Sequence, residues 1–132
     1  MITPDQFPRG GLPEALGMSV IGAGEHWLEV ALTLGPHHMR PSIQSVHAGT
    51  LVSLADTACG FGCLASLPEN AAGFTTIELK TNFLGAAKDG RIVCRAEAEH
   101  LGRTTQVWAA TVRHEDSGRK LAKFGCTQLI FY

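Results

Sequence analysis

The chain has 132 residues, a formal net charge of −1 and 45% hydrophobic residues. This length fits one domain with its own core, which we assign to residues 1–132. A net charge so close to zero gives no overall field for binding nucleic acid or an anionic membrane surface. The N-terminus lacks the basic-then-apolar layout of a signal peptide. We therefore expect a cytoplasmic protein.

The first part of the chain is predicted to be a loop or short helix followed by a β-hairpin or one bent strand. Prolines and glycines break up residues 1–17. Residues 18–34 then alternate apolar and polar side chains in the manner of strands. Small residues interrupt this pattern at positions 22–24, and we place the turn of the hairpin there. A second break, at residues 35–42, leads to the next element.

The most distinctive stretch is residues 47–67, which we predict to be one long, buried helix. Its residues are apolar or small on nearly every side, which is typical of a helix packed inside a protein. It has too few strongly apolar side chains to suggest a membrane span. Asp56 is the one ionisable side chain in its interior, and a carboxylate is costly to bury unless it is paired or used. Asp56 is therefore our first candidate for a functional residue.

Everything after the helix has the pattern of strands. Residues 74–83, 91–101, 104–114 and 120–131 alternate in hydropathy, and turn-forming residues separate them. In the first strand, alternation places Thr75, Ile77 and Leu79 on one face and Thr76 on the other. A hairpin, one helix and a meander of four strands predict an α+β fold. The helix would pack on one face of a mostly antiparallel sheet of five to six strands.

Several smaller observations complete this interpretation. The chain contains no C-x-x-C pair, and we expect buried free thiols in a reducing compartment at Cys59, Cys63, Cys94 and Cys126. Adjacent His37 and His38 have no further ligand at a suitable spacing, so we predict no metal site. One sheet with one helix leaves a bare face and bare edges, which predicts at least a homodimer.

Two segments carry a resemblance to a known family. His47-Ala48-Gly49 followed by Leu54-Ala55-Asp56-Thr57-Ala58 resembles the motif H-G-G-x-x-x-x-L-A-D-x-A. With the strands around it, this motif makes the chain similar to the hot-dog-fold acyl-CoA thioesterases, in the phenylacetate-degradation branch of the 4-hydroxybenzoyl-CoA thioesterase superfamily. The segment His100-Leu101-Gly102-Arg103-Thr104-Thr105 resembles the family's Gly-Arg/Lys-Thr turn. The resemblance implies the hot-dog fold, a long central helix wrapped by a sheet.

The resemblance also implies which residues act. A backbone N–H at the start of the helix, from Ala48 or Gly49, would bind the thioester carbonyl oxygen, since a helix N-terminus carries unpaired donors and positive charge. Asp56 would come from the partner subunit and act as nucleophile or as general base. Thr76 would position this carboxylate or the water, and His47 would orient the thioester.

Substrate contacts follow from the same resemblance. Pro41 stands where the family usually has Asn or Gln, and Gln44 nearby is our candidate to supply an amide. Arg103 suits the phosphates of CoA, with Thr104 beside it. No cofactor is implied, because CoA is part of the substrate. The active sites would lie at the interface of a homodimer, and two dimers would pair as a homotetramer.

The implied function is hydrolysis of an aryl or medium-chain acyl-CoA to the free acid and CoA. The same fold serves hydratases, but their signature places a His where this chain has Phe61. A non-catalytic acyl-CoA or acyl-carrier binding protein is the stronger alternative, because Pro41 cannot donate a hydrogen bond. Binding without turnover would distinguish it.

Overall fold

The computed structural model describes residues 3–132, so residues 1 and 2 of the predicted N-terminal segment lie outside the described part. A six-stranded sheet carries a long helix on one face, which confirms the α+β fold class. The helices are 3₁₀ helices Pro4–Gln6 and Pro36–His38, α1 (Gly11–Ala15) and α2 (Ala48–Ala65). The strands are β1 (Ser19–Gly24), β2 (Trp27–Thr33), β3 (Gly73–Phe83), β4 (Arg91–Leu101), β5 (Thr105–His114) and β6 (Lys120–Phe131).

The strands lie in the order β1-β2-β4-β5-β6-β3, and every neighbouring pair is antiparallel. The predicted meander of four strands is therefore wrong for β3, which pairs with β6 at one edge of the sheet and not with β4. Residues 84–90 carry the chain from β3 to β4 past two other strands. Strands lie about 4.8 Å apart, so the crossing is about 14 Å, which seven extended residues can span.

The turn of the first hairpin lies later than predicted. Residues 22–24 belong to β1, and the turn falls at Glu25 and His26, where φ is +65° at His26. The small residues are needed for space, because the ring of Trp27 lies across them and a Cβ at Gly24 would overlap it. Glycine in this strand therefore marks the close approach of an aromatic ring.

A β-bulge in β3 changes which side chains face the helix. Thr76 pairs with Gln128, and pairing resumes at Glu78, so Ile77 is the extra residue. Thr76 and Leu79 consequently point to the same side of the sheet, whereas plain alternation would place them on opposite sides. The predicted grouping of Ile77 with Leu79 on one face is wrong for this reason.

The core lies between α2 and the sheet. The side chains that α2 buries against the sheet share one face of the helix and are Thr50, Leu51, Leu54, Ala55, Ala58, Cys59 and Cys63. The opposite stripe, which includes Val52, Ser53 and Asp56, is only partly covered. By length and composition α2 could also cross a membrane, with a mean hydropathy of 1.3, but here it is the core helix of the fold.

The cysteines match the prediction of buried free thiols. Cys59, Cys63, Cys94 and Cys126 are all unpaired and buried. Burial raises the pKa of the Cys63 thiol to about 12, and it raises the pKa of Cys94 even further. A hydrogen bond with Cys126, followed by burial, raises the pKa of Cys59. The thiols of Cys59, Cys63 and Cys94 therefore stay protonated at neutral pH and are poor nucleophiles.

The helix α2 approaches the sheet closely at Gly62. A Cβ at this position would lie 2.5 Å from the ring of Trp108, which is fully buried. The ring cannot easily move, because its Nε1 donates to Gln106 Oε1 at 2.9 Å and Gln106 Nε2 donates to the Ser66 carbonyl at 2.8 Å. Gly62 thus sets the distance between helix and sheet.

Gly62→Ala should lower the free energy of unfolding by about 1–3 kcal/mol, because the new methyl group overpacks the ring of Trp108. Gly60→Ala is the matched control, since a Cβ there would meet Phe74 at an ordinary 3.5 Å. That variant should be neutral or more stable by up to about 1 kcal/mol, because alanine favours the helix. Urea unfolding of both variants checks this expectation. Equal stability of the two variants would contradict it.

Candidate active site

The start of α2 combines a capped helix end with one free backbone donor. His47 is the N-cap residue, and its Nδ1 accepts a hydrogen bond from the Gly49 N–H at 2.7 Å. Nδ1 therefore carries no proton, and in the neutral ring the proton is on Nε2. Among the described residues, the Ala48 N–H donates to no protein acceptor. The Ala48 N–H is thus the donor left for a ligand.

This geometry separates the two predicted backbone donors. The Gly49 N–H is already used by the ring of His47, whereas the Ala48 N–H lies at the exposed, positive end of the helix. The proton on Nε2 of His47 is also free to donate. The helix start can therefore offer one N–H and one imidazole N–H to a developing negative charge.

Asp56 lies in the middle of α2, on the stripe that the sheet covers only partly. Its Oδ1 lies 3.1 Å from the hydroxyl of Thr76 on β3, which can donate to it. The bulge at Ile77 allows this contact, because it lets Thr76 face the helix while the strand continues along β6. The structure thus brings together two of the residues that sequence analysis selected.

Sequence analysis missed Gln128. Its side chain is fully buried, and Oε1 lies 2.8 Å from Thr76 Oγ1. The inward positions of β6 are otherwise apolar, with Phe124, Cys126 and Ile130 on the same face. A lone amide within an alternating apolar series is a signal that could have found it.

Ala48 and Asp56 of one chain do not meet. They are eight residues apart on one helix, which is about 12 Å along its axis. One helix cannot bend to close this distance, so a centre that uses both groups needs two copies of the chain. The shared site that the resemblance implied stays a prediction.

The predicted substrate-binding residues take no part in the contact between Asp56 and Thr76. Gln44 is exposed in the loop before α2 and lines an open depression of about 450 Å³ with Lys88 and Arg119. Arg103 is exposed in the turn between β4 and β5, with its guanidinium 5.9 Å from the ring centre of Tyr132.

Thr104, beside Arg103, is exposed, and its carbonyl accepts from the Ile130 N–H at 2.9 Å. Pro41 is exposed in the loop that also carries Gln44. The structure shows no hydrogen bond from Gln44, Arg103 or Thr104 to Asp56 or Thr76 within residues 3–132.

The two adjacent histidines differ in their surroundings. His38 is buried, with Nδ1 accepting from the Gly35 N–H at 2.9 Å and Nε2 lying 2.7 Å from the Leu16 carbonyl. Both ring nitrogens are therefore used by the backbone, and His38 ties the N-terminal segment to the loop before α2. His37 is exposed beside it. Within residues 3–132, no cluster of three or more His, Cys, Asp and Glu is placed to hold a metal ion.

Comparisons with known proteins agree with this architecture. The model of the thioesterase superfamily matches residues 44–120. The chain is similar to the acyl-coenzyme A thioesterase PaaI of Escherichia coli, with 32% identity over 96 residues, 72% of this chain and 65% of the relative. It is also similar to the 1,4-dihydroxy-2-naphthoyl-CoA hydrolase of Listeria monocytogenes, with 29% identity over 105 residues, 80% of this chain and 84% of the relative.

A solved structure supports the fold. The crystal structure of the thioesterase HI1161 of Haemophilus influenzae matches with a TM-score of 0.83 and covers 90% of this chain and 81% of that chain. The sequence identity is 24%, so this likeness concerns the fold alone. It confirms the prediction of a long helix packed against an antiparallel hot-dog sheet.

The cap at His47 can be tested apart from any activity. His47→Ala should lower the free energy of unfolding by about 1 kcal/mol, because the Gly49 N–H loses its acceptor. His47→Asn should restore most of this loss, since asparagine is a strongly preferred N-cap residue. Denaturant unfolding of the three proteins gives the comparison. Alanine and asparagine variants of equal stability would show that the ring does not cap the helix.

Proposed function

The chain belongs to the thioesterase superfamily and is a thioester hydrolase, and on that premise we propose that it hydrolyses an aryl or medium-chain acyl-CoA to the free acid and CoA. The observation that carries the proposal is the Asp56 carboxylate held by Thr76 on a helix whose first N–H is free. We also propose the phenylacetate-degradation branch, supported by the similarity to PaaI.

The proposed reaction needs only protein groups and water. The Ala48 N–H donates to the thioester carbonyl oxygen and stabilises the negative charge that develops there. As a general base, Asp56 takes a proton from water, whose oxygen attacks the carbonyl carbon. The C–S bond then breaks, and the CoA thiolate leaves and is protonated. As a nucleophile, Asp56 instead forms an anhydride that water hydrolyses.

We propose that the centre forms between two subunits, with Ala48 and His47 from one and Asp56 from the other. The separation along α2 supports this, since about 12 Å divides Ala48 from Asp56 in one chain. The edge strand β3 supports it as well, because Leu79 and Phe83 are 43% and 49% exposed on the side that carries α2. A second copy would cover these apolar side chains. Two such dimers would form the proposed homotetramer.

A cavity beside α2 has room for a medium-chain acyl group. It has a volume of about 400 Å³ and lies between the N-terminal segment and the helix, where the rings of Phe7 and Phe61 are 5.1 Å apart. Val20 and Val30 also line it. Phe61 comes five residues after Asp56, which is about 140° around the helix, so within one chain this cavity lies on the side of α2 away from Asp56. An aryl group also fits this volume.

We also propose contacts between the protein and the CoA part of the substrate. Arg103 and Thr104 would bind CoA phosphates, and Gln44 would supply the amide that Pro41 cannot. CoA arrives as part of the substrate, so we propose no further cofactor. Four unpaired cysteines support a reducing compartment, and we propose the cytoplasm.

Asp56→Asn should lower kcat for thiol release by about 10³-fold, because the reaction loses its base or nucleophile. The asparagine oxygen can still accept from Thr76, so the fold should persist. The assay uses benzoyl-, phenylacetyl-, hexanoyl- and lauroyl-CoA, and we expect the first three to be better substrates than the longer lauroyl ester. Unchanged turnover in the variant would make Asp56 structural. Binding of every ester without thiol release from the parent protein would identify a non-catalytic acyl-CoA binding protein.

Ala48→Pro should lower kcat by about 10²-fold or more, because it removes the proposed oxyanion donor. Proline suits the first position of a helix, and His47 already has the extended conformation that precedes proline, with φ −68° and ψ 139°. The variant should therefore fold.

The same variant tests the shared site. Ala48→Pro and Asp56→Asn subunits, refolded together in equal amounts, should regain about one quarter of the parent activity, because half of the dimers then hold one intact site of two. Each variant refolded alone is the control. No recovery in mixtures shown to contain mixed dimers would place both groups in the same subunit's site.

A further inference from the structure

We propose that Gln128 is a positioning residue of this site, whose side-chain amide donates to Thr76 and thereby directs the Thr76 hydroxyl onto Asp56. This inference rests on the proposed function, because it assigns Gln128 a part in holding the reactive carboxylate. The three groups form one hydrogen-bonded row, from β6 through β3 to α2.

The row contains a conflict over one proton. Thr76 Oγ1 lies 2.8 Å from Gln128 Oε1 and 3.1 Å from Asp56 Oδ1, and both of these atoms are acceptors. A threonine hydroxyl has a single hydrogen, so it cannot make a full hydrogen bond to both at once. With Oε1 facing Thr76, the shorter contact would take the proton away from the carboxylate.

Turning the Gln128 amide by 180° removes the conflict. The oxygen and nitrogen of an amide are nearly equal in size, so their order is assigned from the hydrogen bonds that they make. With Nε2 toward Thr76, the amide donates to Oγ1, and the hydroxyl hydrogen is left for Asp56. Oε1 then takes the place of Nε2, which lies 3.5 Å from Cys126 Sγ. The Cys126 thiol can donate weakly to Oε1 there. The Thr76 hydroxyl then has Asp56 as its acceptor, and one N–H of Gln128 has Thr76 Oγ1 as its acceptor.

Burial makes this orientation matter. Gln128 is fully buried, so water does not compete for its amide. An unpaired amide in such a place costs about 1–3 kcal/mol, whereas a paired one is nearly neutral. The cross-strand register of Thr76 and Gln128, followed at once by the bulge at Ile77, holds the two side chains opposite each other. Gln128 therefore fixes the hydroxyl that contacts Asp56.

The chain supplies its own control in Gln106. Gln106 pairs with Gln128 across β5 and β6 and is also fully buried. Its hydrogen bonds run to the Ser66 carbonyl and to Trp108, and none goes to Thr76 or Asp56. Replacing either glutamine removes a buried amide from the same layer, but only Gln128 belongs to the row that reaches Asp56.

The test compares Gln128→Met with Gln106→Met in acyl-CoA hydrolysis by the full chain. Methionine keeps the length of the side chain and removes its polar atoms. Gln128→Met should lower kcat about tenfold with KM unchanged, because only the orientation of the carboxylate is disturbed. Gln106→Met should leave kcat within about twofold of the parent value, even if it lowers the melting temperature. Equal losses of kcat in the two variants would overturn the proposal.

A double-mutant cycle shows whether Gln128 acts through Thr76. Thr76→Val should lower kcat about tenfold, and the double variant should be no slower than the slower single variant, because both changes break one row. Multiplying effects would overturn the proposal. If Gln128→Met fails to fold, Gln128→Glu keeps the shape. At alkaline pH its ionised carboxylate can only accept a hydrogen bond, so this variant should lose kcat to the same extent there.

The Asp56→Asn variant distinguishes failure of the proposed mechanism from failure of the proposed role of Gln128. If it retains full turnover, the proposed mechanism fails, whatever the glutamine variants show. If it is inactive while Gln128→Met, Gln128→Glu and the parent turn over equally, the proposed function stands and the role of Gln128 is refuted.

Discussion

The close packing of α2 on the sheet is the constraint on which the rest of the structure depends. Gly62 lets the helix approach the buried ring of Trp108 on β5. With this distance fixed, a threonine hydroxyl on β3 is long enough to contact a carboxylate on α2. A helix with larger side chains on this face would stand further off, and the contact between Thr76 and Asp56 would be lost.

The two groups of the candidate site come from two positions in α2, its start and its middle. The start of α2 supplies a backbone donor because His47 caps the neighbouring N–H and leaves that of Ala48 free. The middle of the helix supplies a carboxylate on the stripe that the sheet covers only partly. The chemistry therefore needs no flexible loop for its central groups, which are fixed by a helix and two paired strands.

Local features of the chain were predictable from sequence, and pairing features were not. The bounds of the four later strands were predicted within one residue, because alternation and turn residues are local signals. The position of β3 beside β6 and the bulge at Ile77 depend on contacts between distant residues. The turn after β1 was misplaced because Gly22 and Gly24 make room for the ring of Trp27 and do not form the turn. Asp56 and Thr76 could be selected from the motif, but Gln128 acquires its place only through the register of two strands. The chemical roles of these residues stay predictions.

The bulge at Ile77 also divides the edge strand into two parts that can change independently. In the first part, Phe74 and Thr76 face α2 and contact it. In the second part, Leu79 and Phe83 point to the same side of the sheet. The single extra residue is what allows both parts to face the helix side. Substitutions in the second part can therefore alter what this edge associates with, without moving the hydroxyl that holds Asp56. In the proposed dimer, the side chains that would form the contact and the hydroxyl that holds Asp56 are therefore separate parts of one strand.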